Sequence, residues 1–317
     1  MVNLQENIYS TREAEVGDYF ELLKPKVMRL VLFTATVGLI VAPGSVNPLI
    51  AFATLLCVAA GAGGAGALNM WWDSDIDLIM KRTAARPIPS GRITSDQTLA
   101  LGIFLSAFSV GLLGLFANWV AAGLLAFTIL FYILIYTIWL KRTTSQNIVI
   151  GGAAGAFPPM IGWSIVTGGV GVESVLMFLL IFIWTPPHFW TLALFIKQDF
   201  MNAKVPMLTV THGNQVTRKQ ILVYTILLSF VAVGIAFSQI GGPIYFSVAL
   251  VLNGWFLFGS VKIYLRSDKT SQDDKFSEEK KLFLFSIFYL FAHFSAIGLE
   301  VLLRPITGSY FQWLYLI

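Results

Sequence analysis

Cysteine, histidine and charged residues are all scarce in this chain of 317 residues. Its one cysteine, Cys57, excludes an intrachain disulfide and a multi-cysteine metal site. Only 12% of the residues are charged, while 56% are hydrophobic and the mean hydropathy is +0.75. A soluble globular domain does not combine so few charges with so much apolar surface. The composition therefore predicts a membrane protein in which Cys57 packs as a small apolar side chain.

Apolar runs long enough to cross a bilayer as helices recur along the whole chain. The predicted spans cover residues 27–41, 49–69, 98–116, 120–140, 148–166, 175–196, 221–240, 244–261 and 282–303. They indicate an all-α polytopic protein with about nine transmembrane helices around a central cavity that opens to the cytoplasmic side. We expect a single domain over residues 1–317, with a cytoplasmic tail at 1–21 and an interfacial tail at 304–317.

The distribution of basic residues predicts the orientation in the membrane. Of the 21 Lys and Arg residues, 20 fall on one side of a nine-span arrangement, and Arg304 is the exception. By the positive-inside rule that side is the cytoplasm, together with the N-terminus. The net charge of +4 is thus explained by the basic residues on the cytoplasmic side. No stripe of basic residues favours a nucleic-acid partner. The first twenty or so residues are too acidic for a transit peptide and lack a signal-peptide core, which favours a bacterial inner membrane.

Three polar residues follow the second span at four-residue spacing: Asn69, Asp73 and Asp77. A helix that continues past Leu68 places them on one face, with Asp75 pointing the other way. A carboxylate at the bilayer centre costs about 2.5 to 3.5 kcal/mol, so these side chains are expected near an interface or in a wet cavity. They require a cation. Mg²⁺ fits best, because it takes one or two carboxylates and completes its shell with water and substrate phosphates.

Basic side chains follow the acidic ones within the same segment: Lys81, Arg82, Arg86 and Arg92. Forked cationic donors beside metal-binding carboxylates form a cradle suited to a diphosphate ester. Pro87, Pro89 and Gly91 break the helix here. We therefore expect an ordered cytoplasmic loop that closes over the mouth of the cavity and keeps water from a reactive intermediate.

A second polar region lies four helices further on. Asp199 again lies just past the cytoplasmic end of a span, which suggests two four-helix halves facing a shared cavity. His188 follows Pro186 and Pro187 within a span. It either bonds a carbonyl freed by the prolines or serves as an axial ligand of haem iron.

Three predictions concern the rest of the chain. His212 is expected to face solvent, and His293 to bond between helices. The charged run at residues 266–281 is expected to be a solvated loop.

The motifs resemble the UbiA superfamily of intramembrane prenyltransferases, whose first signature is the Asn and two Asp residues seen here. Segments similar to its haem-farnesylating branch cover most of residues 22–208, namely LLKPKVMRLVLFTATVGLIVAPG, NMWWDSDIDLIMKRTAARPIPSGRI, YTIWLKRTTSQNIVIGGAAGAFPPMIGW, WTPPHFWTLALFIKQDF and VPML. The chain departs from the pattern twice. Gln198 precedes Asp199 where that branch has adjacent Asp residues, and Tyr136 precedes Lys141 by five residues where related enzymes have four.

The resemblance implies transfer of a farnesyl group from farnesyl diphosphate to a vinyl group of haem b, giving haem O, at the surface of the lipid bilayer. It implies catalytic roles for Tyr136 and for the residues that hold Mg²⁺, namely Asn69, Asp73, Asp77 and Asp199. The implied diphosphate contacts are Lys81, Arg82, Arg86 and Lys141. The implied haem contacts are His188 on the iron and three partners of the propionates, Lys24, Lys26 and Arg29. The aromatic candidates for stabilising an allylic cation are Trp71, Trp72, Tyr132 and Tyr136.

Other functions stay open on the sequence alone. A prenyltransferase acting on an aromatic acid or a quinone precursor would keep the metal motif without a haem ligand. A small-molecule transporter would also carry polar groups between its helices, but it would not release pyrophosphate in the presence of Mg²⁺. Contact with a haem A synthase or a terminal oxidase is likewise open.

Overall fold

The computed structural model describes residues 14–307, with side chains through residue 304. Within these residues the regular secondary structure is entirely helical, as the composition predicts. Most of the predicted C-terminal tail and the first 13 residues lie outside the described range. The α-helices are α1 (Val16–Leu22), α2 (Pro25–Val41), α3 (Pro48–Trp72), α4 (Ser74–Ile79), α5 (Ser95–Phe116), α6 (Trp119–Leu130), α7 (Lys141–Thr143), α8 (Asn147–Ala156), α9 (Pro158–Thr167), α10 (Val172–Phe195), α11 (Lys197–Asn202), α12 (Leu208–Thr211), α13 (Gly213–Ala236), α14 (Pro243–Tyr264), α15 (Asp268–Asp273) and α16 (Ser277–Thr307). A π-helix, Phe131–Leu140, joins α6 to α7.

The described residues contain eight helical segments that are long and apolar enough to cross a membrane. They are Pro48–Trp72, Ser95–Phe116, Trp119–Thr143, Asn147–Thr167, Val172–Phe195, Gly213–Ala236, Pro243–Tyr264 and Ser277–Arg304. Helix α2 corresponds to the predicted span at 27–41, and its 17 residues lie at the short end of the spanning range. The expectation of a polytopic helical protein with about nine spans is confirmed.

Proline has different effects in two of the spans. Pro158 and Pro159 separate α8 from α9, so this span is broken at its middle, as expected. Pro186 and Pro187 instead lie inside α10, which continues through them from Val172 to Phe195. The second pair therefore leaves the helix intact.

Small residues allow two helix pairs to approach closely. A Cβ atom on Gly38 of α2 would lie 2.1 Å from the carbonyl oxygen of Pro159, and one on Gly162 of α9 would lie 2.0 Å from that of Ala35. A Cβ atom on Gly64 of α3 would lie 3.0 Å from the carbonyl oxygen of Gly102 in α5. Such contacts favour helix association in lipid, where the hydrophobic effect provides no driving force between helices.

Both predicted halves contain a long helix followed by a short one. Helix α3 ends at Trp72 and the six-residue α4 follows, while α10 ends at Phe195 and the six-residue α11 follows. Acidic residues lie in or beside each short helix, at Asp73 to Asp77 and at Asp199. This parallel supports the proposed relationship between the halves.

The run at residues 266–281 is mostly exposed, as expected of a solvated segment, but it is not a loop. This run contains α15 and the start of α16, and it surrounds the fully buried Arg218 of α13. Arg218 donates to Ser271 Oγ at 3.0 Å and lies 3.7 Å from Glu279, and both partners are buried. We call the whole group the Arg218 cluster: Arg218, Arg266, Asp268, Ser271 and Glu279. Charge density along the chain does not reveal that a buried basic residue from another helix pairs with side chains of this run.

Candidate active site

The predicted acidic motif lies where α3 meets α4. The helix does not run straight through, because α3 stops at Trp72 and Asp73 joins the two helices. The register still holds, since the Asp73 N–H donates to Asn69 O at 3.0 Å and the Asp77 N–H donates to Asp73 O at 2.8 Å. Asn69, Asp73 and Asp77 are 4%, 0% and 2% exposed. Two carboxylates are therefore buried together at one helix end, and they need partners.

Asn69 connects three structural elements. Its Nδ2 donates to Asp73 Oδ2 at 2.8 Å and to Thr137 Oγ1 at 3.0 Å, while its Oδ1 accepts from Lys24 Nζ at 2.5 Å. Asn69 is thus fixed in one orientation by partners from α3, the π-helix and the segment before α2. Nothing in the sequence points to Thr137, which lies in an apolar run.

One cation from the same segment and one from a distant part of the chain neutralise the two carboxylates. Lys141 Nζ pairs with Asp73 Oδ2, and Arg86 Nη1 pairs with Asp77 Oδ2 at 2.6 Å. Together with Lys24 and Asn69 these residues form what we call the carboxylate cluster: Lys24, Asn69, Asp73, Asp77, Arg86 and Lys141. Its six members come from three separate stretches of sequence, at residues 24, 69–86 and 141, which the fold brings together.

Asp75 points away from this cluster, as the spacing predicts. Its side chain is 63% exposed, and both carboxylate oxygens accept from Arg142 at 2.9 and 2.8 Å. These hydrogen bonds lower the pKa of Asp75. Arg142 also lies over the ring of Trp72, with its guanidinium carbon 5.8 Å from the centroid. Asp75 and Arg142 thus stabilise the outer side of the α3–α4 junction.

Lys24 belongs to the carboxylate cluster, although the sequence suggested a partner for haem propionates. It adopts a left-handed conformation with φ 52° and ψ 59° just before Pro25, an uncommon and costly state for a residue with a side chain. Its stem packs 3.5 Å from the Cβ position of Gly66. Burial lowers the pKa of Lys24 to about 7, with Arg86 and Lys141 acting in the same direction and the two Asp residues opposing them. Lys26 and Arg29 are exposed.

The π-helix explains the five-residue spacing between Tyr136 and Lys141. The Lys141 N–H donates to Tyr136 O, and Thr137 Oγ1 donates to Tyr132 O at 2.8 Å, both across five residues. One π-helical turn therefore places Tyr136 and Lys141 on the same side, as a four-residue spacing does in an α-helix. The rings of Tyr132 and Tyr136 stack with centroids 5.5 Å apart.

An apolar cavity opens beside the carboxylate cluster. Lys24 and Tyr132 contribute to its wall, and the Lys24 ammonium lies 5.9 Å from the Tyr132 ring centroid. The remaining wall is almost entirely hydrocarbon and includes Val31, Val58, Leu125, Ile129 and Ile161. The cavity encloses about 130 Å³. An apolar cavity of roughly 150 Å³ is known to bind benzene, so this one accommodates a hydrocarbon group of about one isoprene unit.

Asp199, Arg82 and Lys81 lie at the edge of this site. Asp199 is half-buried on α11, while Gln198 is exposed and donates to Asn202 at 2.8 Å. Burial and the neighbouring Arg86 lower the pKa of Arg82, and Asp77 and Asp199 act in the opposite direction. Arg82 is therefore within electrostatic range of both acidic segments. Lys81 is exposed.

The loop after α4 is ordered over the site. Thr83 Oγ1 donates to Asp77 O at 3.0 Å, and Arg86 reaches back to the Asp77 carboxylate. Arg92 fixes the far end by pairing with Asp18 and, at 3.0 Å, with Glu21 of α1. The sequence predicted the ordered loop but not its attachment to α1.

The remaining candidates lie in other environments. His188 contacts α16, where its Nδ1 lies 2.6 Å from Ser286 Oγ, so the expected bond to a freed carbonyl is not the one formed. His293 is buried and pairs with Tyr245 OH at 3.0 Å, which confirms an interhelical hydrogen bond. His212 is exposed, as predicted. Trp71 is half-buried beside Trp72.

Fold and site together define a polytopic helical membrane protein with buried carboxylates and cations at the mouth of a hydrocarbon-lined cavity. That combination is typical of an intramembrane transferase that takes an amphiphilic anionic substrate. The model of the UbiA prenyltransferase family matches residues 31–288, and the chain belongs to this family.

Curated relatives extend the match over nearly the whole chain. A protein named protoheme IX farnesyltransferase from Cereibacter sphaeroides is 60% identical over 294 residues, covering 93% of this chain and 95% of the relative. Proteins of the same name from Roseobacter denitrificans and Paracoccus denitrificans are 61% and 60% identical, over 92% and 90% of this chain and 93% of each relative.

Solved structures share the fold at low sequence identity. A digeranylgeranylglyceryl phosphate synthase superposes with a TM-score of 0.72 at 15% identity, over 90% of this chain and 98% of that one. A UbiA homologue from Archaeoglobus fulgidus, solved with DMAPP and Mg²⁺, superposes with a TM-score of 0.65 at 15% identity, over 89% and 99%. These likenesses establish the architecture.

Proposed function

We propose that this prenyltransferase moves the farnesyl group of farnesyl diphosphate onto a vinyl group of haem b, forming haem O. The single observation that carries the prenyl-donor half is the carboxylate cluster at the mouth of an apolar cavity. The acceptor half is supported by the shared name of relatives 60% identical over 93% of the chain. We also propose that the site faces the cytoplasm of a bacterial inner membrane, because the predicted spans place nearly all Lys and Arg residues on the side of the site.

The donor set of the carboxylate cluster fits Mg²⁺. Asp73 Oδ1 is buried and has no hydrogen-bond partner, although Arg142 Nη2 lies 3.6 Å away. Among the described residues, no three His, Cys, Asp or Glu side chains are grouped closely enough to hold a metal by themselves. Mg²⁺ needs only one or two carboxylates when phosphate oxygens and water complete its shell. Asn69, Asp73 and Asp77 would hold it with the diphosphate, and Asp199 would join from α11.

Lys24, Arg86 and Lys141 would receive the leaving diphosphate. Each is an N–H donor that already has a carboxylate or amide oxygen as its partner, and Lys24 also lies on the cavity wall. Bound Mg²⁺ supplies further positive charge to the oxygens on which negative charge develops. An anion at this position also favours the charged form of Lys24, which burial disfavours. Arg82 and Lys81 would contact the diphosphate from the overlying loop.

The farnesyl chain would begin in the apolar cavity and continue between the helices. Departure of diphosphate breaks the C1–O bond and leaves an allylic cation at the cluster. The stacked rings of Tyr132 and Tyr136 lie at this boundary and would stabilise that cation by about 2 kcal/mol where water is excluded. The ordered loop between α4 and α5 would keep water out until the carbon–carbon bond has formed.

The acceptor step follows from the chemistry of a vinyl group. Its π electrons form a bond to farnesyl C1, which leaves a cation on the carbon next to the porphyrin. Addition of water and loss of one proton then give a hydroxyethyl farnesyl side chain. His188 would bind the haem iron, and the exposed Lys26 and Arg29 would pair with the propionates.

The test is an incubation of the purified protein with haem b, farnesyl diphosphate and Mg²⁺, followed by mass analysis of the porphyrin. We expect a product heavier than haem b by one farnesyl group and one hydroxyl group. Parallel incubations replace haem b with an aromatic acid or a quinone precursor. Product from these acceptors, with none from haem b, would reject the proposed acceptor while leaving the prenyl-donor site intact.

A further inference from the structure

We infer that Ser286 is a positioning residue that fixes the tautomer of His188, so that His188 presents an unprotonated Nε2 to the iron of bound haem. This inference rests on the proposed haem substrate. Ser286 lies on α16, 98 residues from His188 in sequence, and no motif draws attention to it.

Two short contacts of Ser286 determine where its proton goes. Ser286 Oγ lies 2.6 Å from the carbonyl oxygen of Phe283 and 2.6 Å from His188 Nδ1. A carbonyl oxygen only accepts, so the single hydroxyl proton must be donated to Phe283. The hydroxyl oxygen must then accept from His188, which places a proton on Nδ1. In a neutral imidazole this leaves Nε2 with a free lone pair, the form that ligates metals.

The His188 ring is held on both faces. Trp184 stacks on one side with centroids 4.2 Å apart, and Phe283 stacks on the other at 4.8 Å, both within about 21° of parallel. Trp184 is itself fixed, because its Nε1 donates to the backbone oxygen of Ser286 at 2.8 Å. With two faces packed and Nδ1 bonded, the Nε2 edge is the part of the ring left for a ligand.

The other two histidines lack this combination. His293 is fully buried, and its Nε2 is enclosed without a hydrogen-bond partner. His212 is exposed at the start of α13, with Nδ1 bonded to the neighbouring Thr211. His188 is half-buried within a membrane span, so its ring is restrained and still accessible.

The position of His188 suits a planar amphiphile with carboxylates at one edge. It lies seven residues before the end of α10, about 10 Å from the cytoplasmic end of that helix. Helix α2, which carries the exposed Lys26 and Arg29 on its first turns, also packs on α16 through the stacked rings of Phe33 and Phe291. Because α2 and α10 both pack on α16, the propionates of a haem bound at His188 would be directed toward the basic end of α2.

The test is a spectroscopic titration of the purified protein with ferric haem b, without farnesyl diphosphate or Mg²⁺. The wild type should show a histidine-ligated spectrum. The His188→Ala variant should lose it and regain it with added imidazole, while His212→Ala should match the wild type. The Ser286→Ala variant should bind haem about 10-fold more weakly, with a shifted Soret band, because outer partners of ligating histidines typically contribute 10- to 100-fold in affinity.

Two further variants separate positioning from folding. Ser286→Thr keeps the hydroxyl and should restore the spectrum of the wild type. Ser229→Ala removes a hydroxyl that bonds its own helix at Thr225, at 2.9 Å, and should leave haem binding unchanged. A Ser286→Ala variant with the same spectrum and haem affinity as the wild type would overturn the inference. If the wild type nevertheless farnesylates haem, the proposed function stands. If the wild type neither binds haem nor forms the product, the proposed function itself is rejected.

Discussion

Two groups of buried charges lie at helix ends in this protein, and they differ in what surrounds them. In the Arg218 cluster, Arg218 has four partners, Ser271 bonds Glu279 at 2.6 Å, and the central side chains are fully enclosed. In the carboxylate cluster, Lys24 lies on the wall of a hydrocarbon cavity. Each cluster contains a buried carboxylate oxygen without a hydrogen-bond partner, Asp73 Oδ1 in one and Glu279 Oε2 in the other, so the cavity is the difference between them. Buried charge alone therefore does not mark a site, whereas buried charge that adjoins a cavity does.

The difference predicts opposite consequences of mutation. Changes in the carboxylate cluster should remove activity and leave the protein folded. Changes in the Arg218 cluster should lower stability and leave the activity of the folded fraction intact.

The largest effect is expected for Asp73→Asn. Loss of this carboxylate removes the central partner of Lys141 and a ligand of the proposed Mg²⁺, and we expect kcat/KM for haem farnesylation to fall about 10³-fold. Asp75→Asn is the matched control, because Asp75 is 63% exposed in the same segment, and it should retain activity within about twofold. Equal losses in both variants would show that the segment acts through folding.

Arg218→Ala should have the next largest effect, on stability. It removes one of the two cations beside the buried Glu279, and loss of one partner from a buried ion pair typically costs about 3 to 5 kcal/mol. Denaturant unfolding in micelles should show this loss, while activity per folded molecule stays within twofold. Lys219→Ala, at an exposed neighbour, should unfold like the wild type. A fall in the specific activity of folded Arg218→Ala would remove the distinction between the clusters.

Lys24→Gln should lower kcat/KM about 10²-fold, since it removes one charged donor from the proposed leaving group. Lys26→Gln changes an exposed lysine two residues away and should not alter the donor step. Steady-state kinetics with varied farnesyl diphosphate separate the two. If Lys26→Gln impairs the donor step as much as Lys24→Gln does, the proposed role of Lys24 as a donor to the leaving diphosphate is rejected.

The smallest effects are expected on α11. Asp199→Asn should reduce activity about 10-fold, because its carboxylate joins the proposed Mg²⁺ site from the edge. Gln198→Asp restores the adjacent acids of related enzymes and should change turnover by no more than about threefold, since Gln198 is exposed and bonds Asn202. Activity as a function of Mg²⁺ concentration measures both. A tenfold gain in Gln198→Asp would place residue 198 in the metal site.

The all-helical architecture, the span number and the acidic motif could be predicted from the sequence, because they depend on local composition and four-residue spacing. Of the partners of that motif, the sequence indicated Arg86 in the same segment, but not Lys24 or Thr137. Lys24 looks like an ordinary membrane anchor until its left-handed turn before Pro25 directs it inward. Thr137 lies in an apolar run whose sequence is equally compatible with an α-helix and a π-helix. Only the π-helix directs its side chain toward Asn69.

The error at residues 266–281 has a related cause. Alternating charge correctly predicts that most of this run is exposed, but it does not predict the helices or the burial of Ser271 and Glu279. Arg218, more than 50 residues away from both, is the partner of these two side chains. Ser286 is the opposite case, since the role inferred for its hydroxyl depends entirely on a contact with His188 that the sequence does not predict.

The most direct measurement is equilibrium binding of a non-cleavable farnesyl diphosphonate with increasing Mg²⁺, in the wild type and in Asp73→Asn. If the carboxylate cluster holds the diphosphate through a divalent ion, the affinity of the wild type should rise with Mg²⁺ and that of Asp73→Asn should not. Binding that is independent of Mg²⁺, or equal in the two proteins at every Mg²⁺ concentration, would contradict the assignment of this cluster as the diphosphate site.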